Sequence, residues 1–256
     1  MKVIVLASGS KGNCTYVETI NHRVLIDIGT SSLQIEKRLK EVNVEPSSID
    51  SVFITHAHKD HVAGVNVFYK KYHPNVYLTK NIYEEANLNI DKYIVLKNCL
   101  DIDELKVTVI PTSHDAKDSR GYLLEADGKS MIYMTDTGYI NSRYDSLLKN
   151  KDIYVMESNH DVEMLMNNEH YPHYLKMRIL GDEGHLSNKD SANYLSKFIG
   201  KNTRKIYLAH LSEHNNTPDI ALNCLRETLK RKNIDFNDIS VASQNEVSEE
   251  ITIWLK

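Results

Sequence analysis

The chain has 256 residues, 41% of them hydrophobic and 26% charged, a size within one globular domain and large enough to enclose a substantial core. Its 31 Lys and Arg against 35 Asp and Glu give a formal charge of -4, which excludes a protein that grips nucleic acid by bulk basicity and leaves room for a local cationic site. The apolar runs are strand-sized, far short of the ~20 residues that cross a bilayer, and the one before Ser8 is too short for a signal peptide. A cytoplasmic protein without a membrane partner is expected. Cys14, Cys99 and Cys224 are widely separated and form no C-x-x-C pair, so they read as buried small hydrophobes and not as a disulfide or thiolate-metal framework. The unusual feature is the count of 12 histidines, several of them clustered.

Taken in chain order, alternating or continuous apolar segments predict strands at 3–6, 15–18, 24–28 and 52–55, with an amphipathic helix at 33–42. Strands follow at 76–79, 93–96, 106–111, 121–126 and 130–135, the last two joined by the hairpin signal Asp127-Gly128. Helix and strand then alternate: a helix at 142–148, a strand at 153–156, a helix at 187–199 and a strand at 205–208. Thr217, Pro218 and Asp219 supply an N-cap, a first-turn proline and an acid at the positive dipole end, opening a helix to about 232. Strands near 239–242 and 251–254 complete the pattern. Gly and Pro are sparse, at 10 and 5, and no linker or repeat divides the chain, so one domain spanning 1–256 is expected, of α/β (α+β) class with helices covering sheet faces.

Directly after the strand at 52–55 stand His56, His58, Asp60 and His61, four potential ligands in H-A-H-K-D-H. A nitrogen and oxygen set without thiolates suits zinc, manganese or iron. So short a segment cannot surround two metals, and remote partners are sought where strands end: His114, Asp136 and His210 each follow an apolar strand. Strand ends on one rim of a sheet converge although distant in sequence.

These motifs resemble the metallo-β-lactamase-fold superfamily, whose series of an initial Asp, H-x-H-x-D-H, a single His, a bridging Asp and a final His occurs here in order as Asp27, His56 to His61, His114, Asp136 and His210. The resemblance implies a four-layer αββα sandwich binding two divalent metal ions, manganese or zinc. One would take His56, His58 and His114, the other Asp60, His61 and His210, with Asp136 bridging and Asp27 orienting the loop. Such a pair lowers the pKa of a shared water and stabilises phosphoryl charge, so Asp60 counts among the catalytic residues. The leaving oxygen needs a proton, best supplied by a carboxylate-paired histidine. Glu157 and His185 occupy the places of the acid pair in similar nucleases.

The opening L-A-S-G-S-K-G-N-C, with T-H-A-H-K-D-H, E-S-N-H-D, G-H-L-S-N and H-L-S-E-H-N-N, is similar over nearly the whole chain to the bacterial WalJ (YycJ) group of this fold. That likeness implies a cytoplasmic 5′ to 3′ DNA exonuclease associated with mismatch repair. Independent support for a polyanionic substrate is weaker. The segment from Ser8 to Asn13 offers backbone N–H groups to an oxyanion, and a tight turn explains it equally well. Ser10, Lys11, Asn13, Ser212 and Asn215 are the candidate substrate-binding residues. Lys59 and Lys117 flank motifs, His160 and His214 lie near them, and Tyr139, Tyr171 and Tyr174 are able to stack on a base.

A β-lactamase is disfavoured by Asp136, since dinuclear enzymes of that kind lack a bridging Asp, and a di-iron oxygen reductase by His58, where that class has Glu. The short interval from His114 to Asp136 leaves no room for a tRNA-binding arm, and that from Asp136 to His185 none for a large cap domain. A thioester or small phosphodiester hydrolase of the same fold is the remaining alternative. Oligomeric state is not legible.

Overall fold

The computed structural model describes residues 1–254. Strands β1 (Lys2–Ala7), β2 (Cys14–Glu18) and β3 (Arg23–Ile26) form an antiparallel meander. Helix α1 (Ser32–Glu41) crosses to β4 (Ser51–Phe53), parallel to β3; α2 (Lys59–Val62) and α3 (Val65–Tyr72) lead to β5 (Asn75–Leu78), and α4 (Lys80–Glu85) to β6 (Ile94–Val95). The chain then changes sheet. Strands β7 (Cys99–Ile102), β8 (Leu105–Pro111), β9 (Arg120–Ala126) and β10 (Lys129–Met134) are antiparallel. After α5 (Asp145–Leu148), strand β11 (Ile153–Glu157) runs parallel to β10. Helices α6 (Val162–Asn167), α7 (His173–Leu180) and α8 (Asn188–Phe198) precede β12 (Lys205–Ala209), and α9 (Pro218–Arg231) precedes β13 (Ile239–Val241). Strand β14 (Ile251–Thr252) returns to pair with β1, giving two seven-stranded sheets in the orders β14-β1-β2-β3-β4-β5-β6 and β13-β12-β11-β10-β9-β8-β7.

Side-chain alternation along the strands builds the layers. Val3 and Val5 face the second sheet and meet Val107, Tyr122, Leu124 and Val155, whereas Ile4 and Leu6 face outward with Ile35 and Leu39 of α1 and Phe68 of α3. In the second sheet Leu123, Ile132, Tyr154 and Ile206 turn away from the first, toward Leu195 and Phe198 of α8 and Leu225 and Leu229 of α9. Strands buried on both faces read as near-continuous apolar runs, which is why these were legible. The result is the four-layer αββα sandwich.

Most predicted elements recur within a residue or two. The Asp127-Gly128 hairpin has φ of 54° and 67°, a turn whose twist matches the flanking strands. Thr217 caps α9 by accepting from the Ile220 N–H. The segment predicted as one helix at 142–148 is a short 3₁₀ turn over Ser142–Tyr144 followed by α5. Helices α2, α3, α4, α6 and α7 and strand β7 were not anticipated. They are short, and α7 buries none of its side chains fully, so it carries no apolar stripe. Of the cysteines, Cys14 is buried as expected but Cys99 is exposed on β7 and Cys224 is half-buried. No helix among the described residues is long and apolar enough to cross a membrane.

Two contacts set the segment between β4 and α2 against the opposite sheet. The Tyr122 hydroxyl donates to the Ile54 carbonyl at 2.5 Å, and the Arg120 N–H to the Thr55 carbonyl at 3.0 Å. Gly29 lies directly against the first turn of α2: a Cβ there would stand 1.6 Å from the Asp60 carbonyl oxygen and 2.5 Å from the Asn13 nitrogen. Gly29→Ala is therefore expected to destabilise the protein by about 3 kcal/mol, measured by thermal unfolding; a melting curve superimposable on wild type would contradict the close approach.

Candidate metal centre

Five strand exits gather the site on one edge of the sandwich. Asp27 follows β3, the 56–61 loop follows β4, His114 follows β8, Asp136 follows β10 and His210 follows β12, while Glu157 is the last residue of β11. Asp27, Asp136 and His210 share a left-handed backbone, with φ of 62°, 55° and 55°. An L-residue held there is strained, and Asp and His tolerate it better than most. The turn ends each strand and brings its side chain over the rim.

Four groups of donor atoms result, each with all members within 4.8 Å of one another: His56, His58 and His114; Asp60, His61 and His210; His56, His61 and Asp136; and Asp136, Glu157, His185 and His210. The first two are the triads expected from the sequence, and Asp136 stands between them. Its Oδ2 lies 3.2 Å from His61 Nε2, and its Oδ1 3.5 Å from His210 Nε2 and 3.8 Å from His114 Nε2. The His56 Nε2 and Asp136 Oδ2 atoms are buried with no hydrogen-bond partner. Such orphaned atoms are costly unless something else satisfies them, and a cation does so.

The other nitrogen of His56, His61, His114 and His210 is directed outward. His61 Nδ1 donates to Asp27 Oδ2 at 2.7 Å, His114 Nδ1 to the Gly184 carbonyl at 3.1 Å and His210 Nδ1 to Glu157 Oε1 at 3.1 Å. His56 Nδ1 is 3.1 Å from the Thr55 hydroxyl, which itself donates to Asp27 Oδ2. His58 differs, since its Nδ1 lies 3.2 Å from His114 Nε2 and its Nε2 3.6 Å from Asp115 Oδ1. Partners of this kind fix the tautomer and aim the free nitrogen inward.

Electrostatics carry the same message. Burial pushes the Asp27 carboxyl up, and burial pushes the His56 imidazole well below its usual value. Burial also opposes protonation of His61, yet Asp136, Asp27 and Asp60 raise it well above the ordinary range. Against burial, Asp136, Asp60 and Glu157 raise His210 to about 10. Carboxylates so confined demand positive charge, which arrives as protons on imidazoles or as divalent cations on the same nitrogens. The donor set therefore fits such cations.

Glu157 is fully buried, its Oε2 accepting the Thr137 and Leu186 N–H groups and its Oε1 lying 2.7 Å from His185 Nδ1. His185 is partly exposed and lines a cleft of about 270 Å³ together with Asp60, Asp136 and His210. Of the five candidate substrate contacts, only Ser10 lines this cleft. Lys11 pairs with Glu213 at 2.8 Å and lies with Lys59 in an adjoining groove. Asn13 is buried, its amide 3.3 Å from Asp60 Oδ2 and 3.0 Å from His61 Nε2, so it touches the donor atoms themselves without lining the cleft. Asn215 is buried too, accepting from Asn168 at 2.7 Å, and Ser212 accepts from the Asn215 N–H. The oxyanion cradle gives way to the turn: the N–H groups of Ser8, Gly9, Lys11, Gly12 and Asn13 all bond within the protein. Ser8 instead presents its hydroxyl to the His210 N–H at 2.7 Å. His160 is buried, His214 is exposed beside Tyr171, and of the three tyrosines only Tyr171 reaches the cleft. Asp115 and Arg178, at the same cleft, were missed; Asp115 was visible as the residue after His114, but nothing in the sequence marked Arg178.

Fold and donor set together define a metal-dependent hydrolase. Residues 22–211 match the Beta-lactamase superfamily domain, and the chain belongs to that family. It is 38% identical over 231 residues to the Exodeoxyribonuclease WalJ of Streptococcus pneumoniae serotype 2 (strain D39 / NCTC 7466), covering 86% of this chain and 85% of that protein. It is 34% identical over 235 residues to the Exodeoxyribonuclease YycJ of Bacillus anthracis, covering 89% of each. Among solved structures, the metallo-beta-lactamase fold protein YhfI from Bacillus subtilis superposes with a TM-score of 0.72 over 97% of this chain and 99% of that one; at 15% identity the likeness is one of fold.

Asp27→Asn preserves a residue tolerant of the left-handed backbone and removes the charge facing His61. Metal affinity is expected to fall 10- to 100-fold, on the order seen for partners of metal-bound histidines, in a chelator competition titration. An unaltered affinity would separate Asp27 from the centre.

Proposed function

We propose that the chain is a metal-dependent exodeoxyribonuclease that hydrolyses phosphodiesters from DNA ends. The observation that carries this reading is the Glu157–His185 pair, 2.7 Å apart, with His185 lining the same cleft as His58 and His114 of one triad and Asp60 and His210 of the other. The two nuclease relatives, similar over most of the chain, support it. Two divalent ions, manganese or zinc, would be held by His56, His58 and His114 on one side and Asp60, His61 and His210 on the other, with Asp136 between. When bound, such ions stabilise phosphoryl charge and lower the pKa of water.

The protein's own groups supply the rest. Glu157 is anchored by two backbone N–H groups, and its remaining oxygen holds His185 by Nδ1. Although burial disfavours the imidazolium, the Glu157 charge and hydrogen bond raise His185 above its ordinary value. The Glu157 contact thus favours the protonated ring, whose Nε2–H is the group that would deliver a proton to the departing sugar oxygen. Asp60 and Asp136, on the cleft wall, would act through the ions they help to hold. A 5′ to 3′ polarity, a cytoplasmic setting and a part in mismatch repair belong to the same proposal.

Metal-free protein given manganese or zinc is expected to release nucleotides from DNA labelled at its 5′ end, single- or double-stranded. Absence of cleavage, with turnover of a thioester or a small diester, would favour the alternative hydrolase. His185→Ala should lower turnover ~10²- to 10⁴-fold while metal content, measured by elemental analysis, stays at the wild-type value. Metal lost in parallel with activity would assign His185 to the binding of ions instead.

A further inference from the structure

The cleft is lined by acids, with Asp60, Asp115, Asp136 and Glu183 on its wall, and Arg178 is the only lysine or arginine among the described residues lining it. Cations at the donor triads offset charge around one phosphate. A nucleic acid strand brings neighbouring phosphates as well, and each meets a negative wall unless a further cation is present.

Arg178 is placed to be that cation. It lies on α7, a helix that buries none of its side chains fully but sets Leu175, Arg178 and Ile179 along the cleft. Both Nε and Nη2 donate to one carboxylate oxygen, Asp115 Oδ2, the former at 2.6 Å. The other oxygen, Oδ1, is buried without a hydrogen-bond partner, 3.3 Å from His114 Nε2 and 3.6 Å from His58 Nε2. Arg178 is therefore one carboxylate removed from the donor atoms, close enough for the phosphate beside the reacting one. The Arg178 side chain is 62% exposed, and so exposed an ion pair contributes little to stability. Its geometry is more telling: the acid takes one edge of the fork and leaves the Nη1 donors free, the arrangement that suits planar recognition of phosphate oxygens.

We propose that Arg178 binds the non-bridging oxygens of the phosphate adjacent to the scissile linkage, with Asp115 holding the guanidinium at that position. The inference rests on the phosphodiesterase reading and deepens it. Arg178 is thus a substrate-binding residue, and Asp115 positions it.

The test uses oligodeoxynucleotides in which the single linkage next to the cleaved terminal one is a neutral methylphosphonate. In wild type this replacement is expected to lower kcat/KM by on the order of tenfold, the loss of a charge-assisted contact; an unchanged value would overturn the inference. In Arg178→Gln the all-phosphate substrate loses a similar factor, and the neutral linkage then costs less than about twofold further. Arg178→Lys, which keeps the charge without the fork, restores part of the sensitivity. Metal content is measured for each variant. If Arg178→Gln pays the full wild-type penalty for the neutral linkage, or loses metal in proportion to activity, Arg178 is only a strut for α7 and His58. An active wild type with that outcome overturns this inference alone, whereas a wild type that cleaves no oligonucleotide overturns the nuclease reading with it.

Discussion

Confined negative charge is the constraint on which this structure turns. Asp27, Asp136 and Glu157 are essentially buried and Asp60 is 22% exposed, yet no lysine or arginine reaches these four among the described residues. Isolated carboxylates in such surroundings would neutralise or refuse burial. Here each faces an imidazole, and each imidazole that faces the centre, His58 apart, has its outer nitrogen engaged. The left-handed turns at Asp27, Asp136 and His210 are tolerable in that light, because the cluster repays a strained backbone that no single contact would justify.

The sandwich gives that cluster its rigidity. Donors come from both sheets, and the contacts from Tyr122 and Arg120 to the Ile54 and Thr55 carbonyls join the 54–56 segment to the opposite layer. Asn13 and Gly29 hold the Asp60 backbone from below. The histidines thus rest on short connections between buried strands, and the precision a metal site requires follows from the packing beneath it. The acid pair shares this support, since Glu157 lies within β11 and is fixed by backbone donors on two sides.

The legible part of the molecule was the part with period or chemical type. Apolar alternation marked the long strands, turn residues marked the Asp127-Gly128 hairpin and the start of α9, and the crowding of histidine and aspartate marked the donors. Resemblance paired those donors across the chain, which spacing alone does not do. What escaped had no local signature. Helix α7 lacks a buried stripe, and Arg178 is one exposed arginine among many until the fold sets it beside Asp115. Asn13 and Asn215 illustrate the converse: amides in polar loops look available in sequence, but the fold engages them in holding its own backbone and side chains.

The span between the donors has a temporal consequence. Asp60 and His210 lie 150 positions apart and meet at 3.4 Å, with His114 and Asp136 supplied in between. During synthesis β1 to β6 and the H-x-H-x-D-H segment emerge well before β12, so the donors of the first sheet are made before His114, Asp136 and His210 follow. The complete set of donor atoms therefore exists only once the two sheets have docked.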